Sequence, residues 1–323
     1  MYISENDVKN NLTMDEIIVV VEEAQKDYSE KKIEIPGRVT INVRGKENSA
    51  IILAANHLSK SFYGFKQASS FSDNAKKGLN TVISDIHLYS GETGEHRAAI
   101  AATLLTALKT GAASAVATKH MAKPKAGILA IIGVGIQAQT QLEAIQHVMK
   151  LTEVRVYDLS HENIDKFIEF AETIKNRDYL ISASKTSDSC VYGADVIVTA
   201  TTAMKPVFDS QNVSLGTHIN AIGSFTPDMQ EIDSKIVVRA DKIVTDNMDE
   251  TWDVAGDLLV PFNNGEITKS RIHGNVGDII TGKITGRETH KEITIYESVG
   301  FAALDIALAI KVYEKIKNGF LRK

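Results

Sequence analysis

A short stretch of this chain, Gly133-Val134-Gly135-Ile136-Gln137-Ala138, has the residue types that let a backbone come close to a pyrophosphate. It follows the apolar run Ile128-Leu129-Ala130-Ile131-Ile132 and opens a segment, Gln137 to Met149, that reads as a helix. In that setting Gly133 permits a tight turn, Gly135 admits the phosphates, and the small Ala138 lets helix and strand approach. The start of the helix adds N–H donors and positive partial charge. An acid, Asp158, follows the next strand-like run, Glu153-Val154-Arg155-Val156-Tyr157, about twenty positions after Ala138. A carboxylate there accepts hydrogen bonds from both ribose hydroxyls and repels a 2′-phosphate. No Arg or Lys immediately follows it, so NAD is expected in preference to NADP. A glycine string alone would say little, since glycines gather in any turn. Strand, helix and acid together favour a dinucleotide site over a turn without ligand.

Positioning such a loop requires a parallel sheet. Further apolar runs supply one: Tyr179–Ala183, Asp195–Ala200, His218–Ile222 and Lys242–Asp246, with a helix from about Glu162 to Lys175 among them. The chain before Pro124 is patterned differently. A helix from Met14 to Glu30, capped by Thr13, precedes strand-like runs at Val39–Val43, Ala50–Ala54, Tyr63–Ala68 and Thr81–Tyr89, an antiparallel region. Ala101 to Met121 reads as a helical connector, and a last helix, about Gly300 to Asn318, is apolar along its first half.

A length of 323 residues suits two domains, and 43% hydrophobic with 24% charged residues is globular composition. The formal charge of −5, without a Lys/Arg block, argues against a nucleic-acid partner. Cys190 is the single cysteine, which excludes an intramolecular disulfide and multi-cysteine metal sites, and its apolar surroundings read as packing. The nine histidines form no HxxxH or HxH pair and the acids show no ligand spacing, so no metal is expected. The N-terminus lacks a signal-peptide pattern and the longest apolar run, Gly127 to Ile136, is too short for a bilayer. A cytoplasmic protein without membrane association is the expectation.

Gln137-Ala138 after the second glycine, and Leu104-Leu105-Thr106-Ala107-Leu108-Lys109-Thr110-Gly111-Ala112-Ala113 upstream, resemble the ornithine cyclodeaminase/mu-crystallin family. Gly64-Phe65-Lys66, Arg38, Asn220 to Ser224, Pro227 to Ile232, Gly256-Asp257-Leu258-Leu259, Gly282 to Arg287 and Ser298-Val299-Gly300 extend the likeness in order along the chain. The resemblance implies an α/β architecture in which a Rossmann dinucleotide-binding domain, 118–300, is inserted into an α+β substrate and dimerisation domain, 1–117 plus 301–323. It implies a homodimer, and hydride exchange between a nicotinamide and C2 of a small α-amino or α-imino acid. It makes Arg38, Lys66 and Lys109 the substrate-binding cations; an imine nitrogen then needs only a proton, which Lys66, the catalytic candidate, or a bound water would supply. Beside Gly133, Gly135, Ile136, Gln137, Ala138 and Asp158, it adds Thr118, Val299 and Gly300 as cofactor contacts, and Thr201 joins them by its place just after the fourth strand, at the carboxyl edge of the sheet.

The residues carry part of this themselves. A lysine on an apolar strand, as Lys66 is, needs a partner or a task. Two departures from the family pattern matter. Lys109 stands where arginine is usual, keeping charge but losing the two-pronged grip on a carboxylate; compensation by Arg97 is the weaker alternative. Phe225 stands where cyclodeaminases place an aspartate, and phenylalanine cannot move a proton. Asp228 nearby reads as a helix cap. The expectation is therefore an imine reductase or amino-acid dehydrogenase, acting for example on Δ1-pyrroline-2-carboxylate. Ornithine cyclodeaminase is the alternative, and a non-catalytic dinucleotide-binding protein the third reading.

Overall fold

Two hydrophobic patterns, alternation in the first third and continuous apolar runs in the middle, become two different sheets in a computed structural model that describes residues 1–43, 48–174 and 177–320. In chain order the first part carries β1 (Tyr2–Ile3), α1 (Glu5–Asn11), α2 (Met14–Ser29), β2 (Ile33–Glu34), β3 (Arg38–Asn42) and β4 (Asn48–His57). Next come β5 (Phe62–Phe71), β6 (Val82–Ser90), β7 (His96–Ala101) and α3 (Thr103–Met121). The middle holds β8 (Ile128–Ile132), α4 (Ile136–Val148), β9 (Glu153–Tyr157), α5 (His161–Glu172), β10 (Leu180–Ala183), α6 (Ser187–Val191), β11 (Val196–Thr199) and β12 (His218–Ala221). It continues with α7 (Ser234–Arg239), β13 (Lys242–Thr245), α8 (Met248–Val254), α9 (Gly256–Asn263), β14 (Gly274–Asn275), α10 (Val276–Ile280) and β15 (Thr294–Glu297). Helix α11 (Ala302–Phe320) ends the described chain.

These elements form two compact units, Met1–Lys109 with the segment from Phe301, and Thr110–Gly300. The division falls inside α3, earlier than the expected 117/118. The reason is local: the second half of α3 belongs with α4, where Gln141 Nε2 donates to the Thr110 carbonyl at 3.2 Å.

The first unit is a seven-stranded sheet in the order β1-β7-β6-β5-β4-β2, with β3 also paired to β4. All its pairs are antiparallel except β1 with β7. Helix α11 lies across β4, β5 and β6 and against α2, and nearly every residue from Phe301 to Val312 is buried. Gly64 fixes how close it comes. A Cβ there would stand 2.4 Å from the His87 carbonyl oxygen and 3.0 Å from Ile306 Cδ1. A side chain at this position would clash with the main chain of β6 and crowd Ile306 of α11.

The second unit is an eight-stranded, wholly parallel sheet in the order β10-β9-β8-β11-β12-β15-β13-β14. Its order reverses between β8 and β11, the crevice where such folds take ligands. Strand β12 is flanked by β15, a strand the sequence reading did not identify, and not by β13. Asp228 lies in a turn and caps nothing; Asp233 caps α7 by accepting from Lys235 N at 3.0 Å. Lys175, the expected end of the helix realised as α5, lies outside the described residues, as do 321–323. No helix among the described residues is long and apolar enough to cross a membrane.

Candidate active site

Sheet register sets the cationic half of the site within the first unit. Arg38, Leu53, Lys66, Ile86 and Ile100 are successive partners across five strands, so their side chains share one face. That face is the one α11 covers. Gly64, two residues before Lys66, lets the helix in, and the next helical residue after Leu304 is an acid, Asp305. Its carboxylate bridges two ammonium groups, with Oδ2 2.8 Å from Lys66 Nζ and Oδ1 3.0 Å from Lys109 Nζ. Lys109 comes from α3, whose first turn is held by Glu5: Thr103 N and Leu104 N donate to the Glu5 carboxylate at 2.8 and 3.0 Å. Arg97 instead sits on the surface with Glu95, 3.0 Å away, and does not compensate for Lys109.

All three members of the bridge are buried, at 3% exposure or less. Burial pushes the Lys66 ammonium down to about 8; Asp305 opposes the shift and the charge of Lys109 adds to it. Burial alone would raise the Asp305 carboxyl, but Lys109 and then Lys66 hold it below the usual carboxylate range. Two cations on one anion leave a net positive charge, a seat for a carboxylate. An amine that titrates near neutrality can also carry a proton in and out of a reaction.

In the second unit the glycine loop leaves β8 as expected. Gly133 has φ +84°, and a Cβ on it would meet Thr201 Cγ2 at 2.6 Å and the Ala200 carbonyl at 2.7 Å. The loop thus rests on the segment after β11. Around the Cβ position of Gly135, by contrast, nothing lies within 4 Å. Gly135 starts α4 without a side-chain cap, and Ile136 is exposed while Ala138 is fully buried. Space, N–H groups and a small packing residue therefore fit a pyrophosphate. Asp158 does more than its sequence role requires. Its Oδ2 accepts from Val134 N and its Oδ1 from Ser160 N, both at 2.9 Å, so it also fixes the loop; Asn163 Nδ2 donates to Oδ1 as well, at 3.4 Å, which leaves Oδ2 as the freer acceptor for a ribose hydroxyl.

Among the described residues no hydrogen bond ties the Thr118 side chain to this loop. Its hydroxyl is buried and accepts from Asn220 Nδ2 at 3.0 Å. Asn220 Oδ1 in turn meets His218 Nε2 at 3.2 Å, and burial pushes that imidazole down to about 3, so it is neutral. Val299 and Gly300 follow β15 after one residue, Ser298. Their segment is pinned by Asp246, which accepts from Ser298 Oγ at 2.6 Å and from the Tyr296 hydroxyl. Cys190 is buried and its thiol is pushed up to about 11, a packing residue.

Sequence reasoning missed Asp305 and a set of buried acids, Glu231, Asp257 and Glu297, all fully enclosed. Among the described residues neither oxygen of Glu297 has a hydrogen-bond partner, and burial, then Asp257 and Glu231, push its carboxyl well above the usual range. Such a group favours folding below its unfolded pKa of about 4.3, and that contribution is lost as pH rises through the higher folded value. Glu297→Gln removes the charge and adds an amide donor. We expect it to raise the melting temperature by more near about pH 8 than near about pH 5. Calorimetry at the two values checks this; an equal shift at both would contradict it.

A model of the Ornithine cyclodeaminase/mu-crystallin family matches residues 1–319. Δ1-Pyrroline-2-carboxylate reductase of Bacillus thuringiensis subsp. konkukian is 35% identical over 315 residues, covering 98% of this chain and 96% of the relative. The solved Δ1-pyrroline-2-carboxylate reductase of Thermococcus litoralis, in complex with NADH and L-proline, superposes with a TM-score of 0.94 at 33% identity, covering 99% of this chain and 98% of that one. An archaeal alanine dehydrogenase dimer with bound NAD has a TM-score of 0.92 at 34% identity, covering 99% and 96%.

Proposed function

We propose, since the chain belongs to the ornithine cyclodeaminase/mu-crystallin family, that it is an NADH-dependent reductase of a small cyclic α-imino acid such as Δ1-pyrroline-2-carboxylate. The observation that carries this reading is the buried bridge of Lys66, Asp305 and Lys109 on the sheet face shared with Arg38. Arg38 and Lys109 hold the substrate carboxylate, and Lys66 delivers the proton that the imine nitrogen takes up as C2 receives hydride. NAD supplies that hydride when bound. Gly133, Gly135, Ile136, Gln137 and Ala138 cradle its pyrophosphate, Asp158 takes the ribose, and Thr201, Val299 and Gly300 line the carboxyl edge of the sheet. Thr118 supports β12 from behind through Asn220.

Phe225 supports reduction over cyclising deamination, because a phenyl ring cannot handle the amine proton. The reading includes a homodimer. Val39, Ile41, Tyr63 and Ile83 are exposed apolar residues on the sheet face opposite Lys66, and the archaeal relative is a dimer. It also includes a cytoplasmic location, in keeping with a single, buried cysteine.

Two assays decide it. NADH oxidation is expected with Δ1-pyrroline-2-carboxylate, faster than NADPH oxidation. No ammonia is expected from ornithine. Ammonia release without net change in NADH would instead identify a cyclodeaminase, and a preference for NADPH would overturn the role given to Asp158.

A further inference from the structure

Glu231 sits at the centre of the carboxyl edge of the parallel sheet with no solvent exposure. Its carboxylate takes hydrogen bonds from two different inter-element segments. Oε1 accepts from Thr201 N at 2.6 Å, just after β11. Oε2 accepts from Gly223 N at 2.7 Å, just after β12, and from Thr199 Oγ1 at 2.9 Å. Gly223 is shaped around this contact: a Cβ on it would fall 2.6 Å from Glu231 Cδ and 2.2 Å from the Thr201 carbonyl oxygen. Glu231 is itself anchored, since its own N–H and that of Ile232 donate to Asp257 Oδ1 at 2.7 and 2.9 Å. Thr201 is also the residue on which Gly133 rests.

The contacts therefore run without a break from the pyrophosphate loop to Thr201, from Thr201 to Glu231, and from Glu231 to Gly223 and Asp257. We infer that Glu231 is a positioning residue for the dinucleotide, fixing the height of Thr201 beneath the Gly133 loop and the course of the chain after β12. This rests on the reading that the chain binds NADH. Glu231 touches no ligand in this scheme; it acts through the two main-chain segments it joins. A carboxylate is suited to the task because it accepts on both oxygens, whereas an amide offers one acceptor and turns a donor toward the other N–H.

The test is NADH affinity, read by the fluorescence of the bound nucleotide on the dimer as purified. Glu231→Gln is expected to weaken NADH binding about tenfold, as loss of one charge-assisted hydrogen bond would. The Michaelis constant for NADH should rise in step while the maximal rate changes much less. Thr199→Val removes a single donor to Glu231 and keeps the side-chain shape, so it reports even if the glutamine variant does not fold. A two- to threefold loss of affinity, roughly, is expected from it.

Thr217→Val is the control. The Thr217 hydroxyl is equally buried but donates to the Ala194 carbonyl, before β11 begins and so at the opposite edge of the sheet. It should lower the melting temperature without changing NADH affinity. Unchanged affinity in Glu231→Gln and Thr199→Val, or an equal loss in Thr217→Val, overturns the inference. If the unaltered protein fails to bind NADH at all, the functional reading falls and the inference with it.

Discussion

Replacing Lys66 by methionine is expected to lower the maximal rate of imine reduction by roughly 10²–10⁴-fold, the usual contribution of a positioned acid or base. Methionine fills nearly the same volume, so the sheet and α11 keep their spacing. NADH affinity should be unchanged, because the glycine loop and Asp158 lie in the other unit. The unaltered enzyme carries a second signature. In the proposed mechanism reduction uses the ammonium form of Lys66, and burial brings that group down to about 8. Its maximal rate should therefore fall as pH rises through that value, and the variant should lose this alkaline limb. Steady-state kinetics across pH would check both points. A variant with normal turnover and only a weaker grip on substrate would restrict Lys66 to binding.

Asp305→Ala is expected to cost about 3–5 kcal/mol of stability, the range for removing one partner of a buried ion pair. The cost is large because two ammonium groups, Lys66 and Lys109, are left enclosed with no counter-charge between them. The pH dependence follows from the direction of the Asp305 shift. Its carboxyl lies below the ordinary value when folded, so its contribution is present above the unfolded pKa of about 3.9 and is lost as pH falls through the folded one. The gap in stability between the two proteins should thus be widest near neutrality and narrow in acid. Denaturant titration of each at several pH values measures it. A gap that stays constant would show that the cost arises from the cavity and not from charge.

These two residues also mark how far the sequence could be read. Lys66 was visible because a cation stood inside an apolar, alternating run, and an alternating run can only be a half-buried strand. Its partner was not. Asp305 lies in a helix whose apolar residues run nearly all round, and there a single acid looks like a tolerated exception. Its isolation in Phe301 to Ile310 was the signal: a lone carboxylate at a buried helical position needs a cation. Glu231 was hidden differently, since Gln230-Glu231 after a proline turn looks like any solvated loop.

The parallel strands β8 to β13 were legible from continuous apolar runs, with boundaries displaced by a residue or so. Strand β15 was not, because Thr294 and Glu297 interrupt so short a run; both are buried nonetheless. Pairing partners lie beyond what periodicity can report. Nothing in the run of residues at Lys242 says that β13 must stand one place away from β12.

The insertion of β15 between β12 and β13 has a consequence for how the protein is made. The strand is nearly the last segment of its unit to leave the ribosome, yet it alone joins β12 to β13 in the sheet. Helix α11, synthesised after it, closes the other core over β4, β5 and β6. The parallel sheet cannot be completed until translation has passed β15, nor the first unit's core until it has passed α11, so each interior waits on long-range pairing with a late segment. Nascent chains halted before β15 should expose both unfinished cores and depend on chaperones, although almost every residue of the nucleotide loop and of the cationic sheet has already been made.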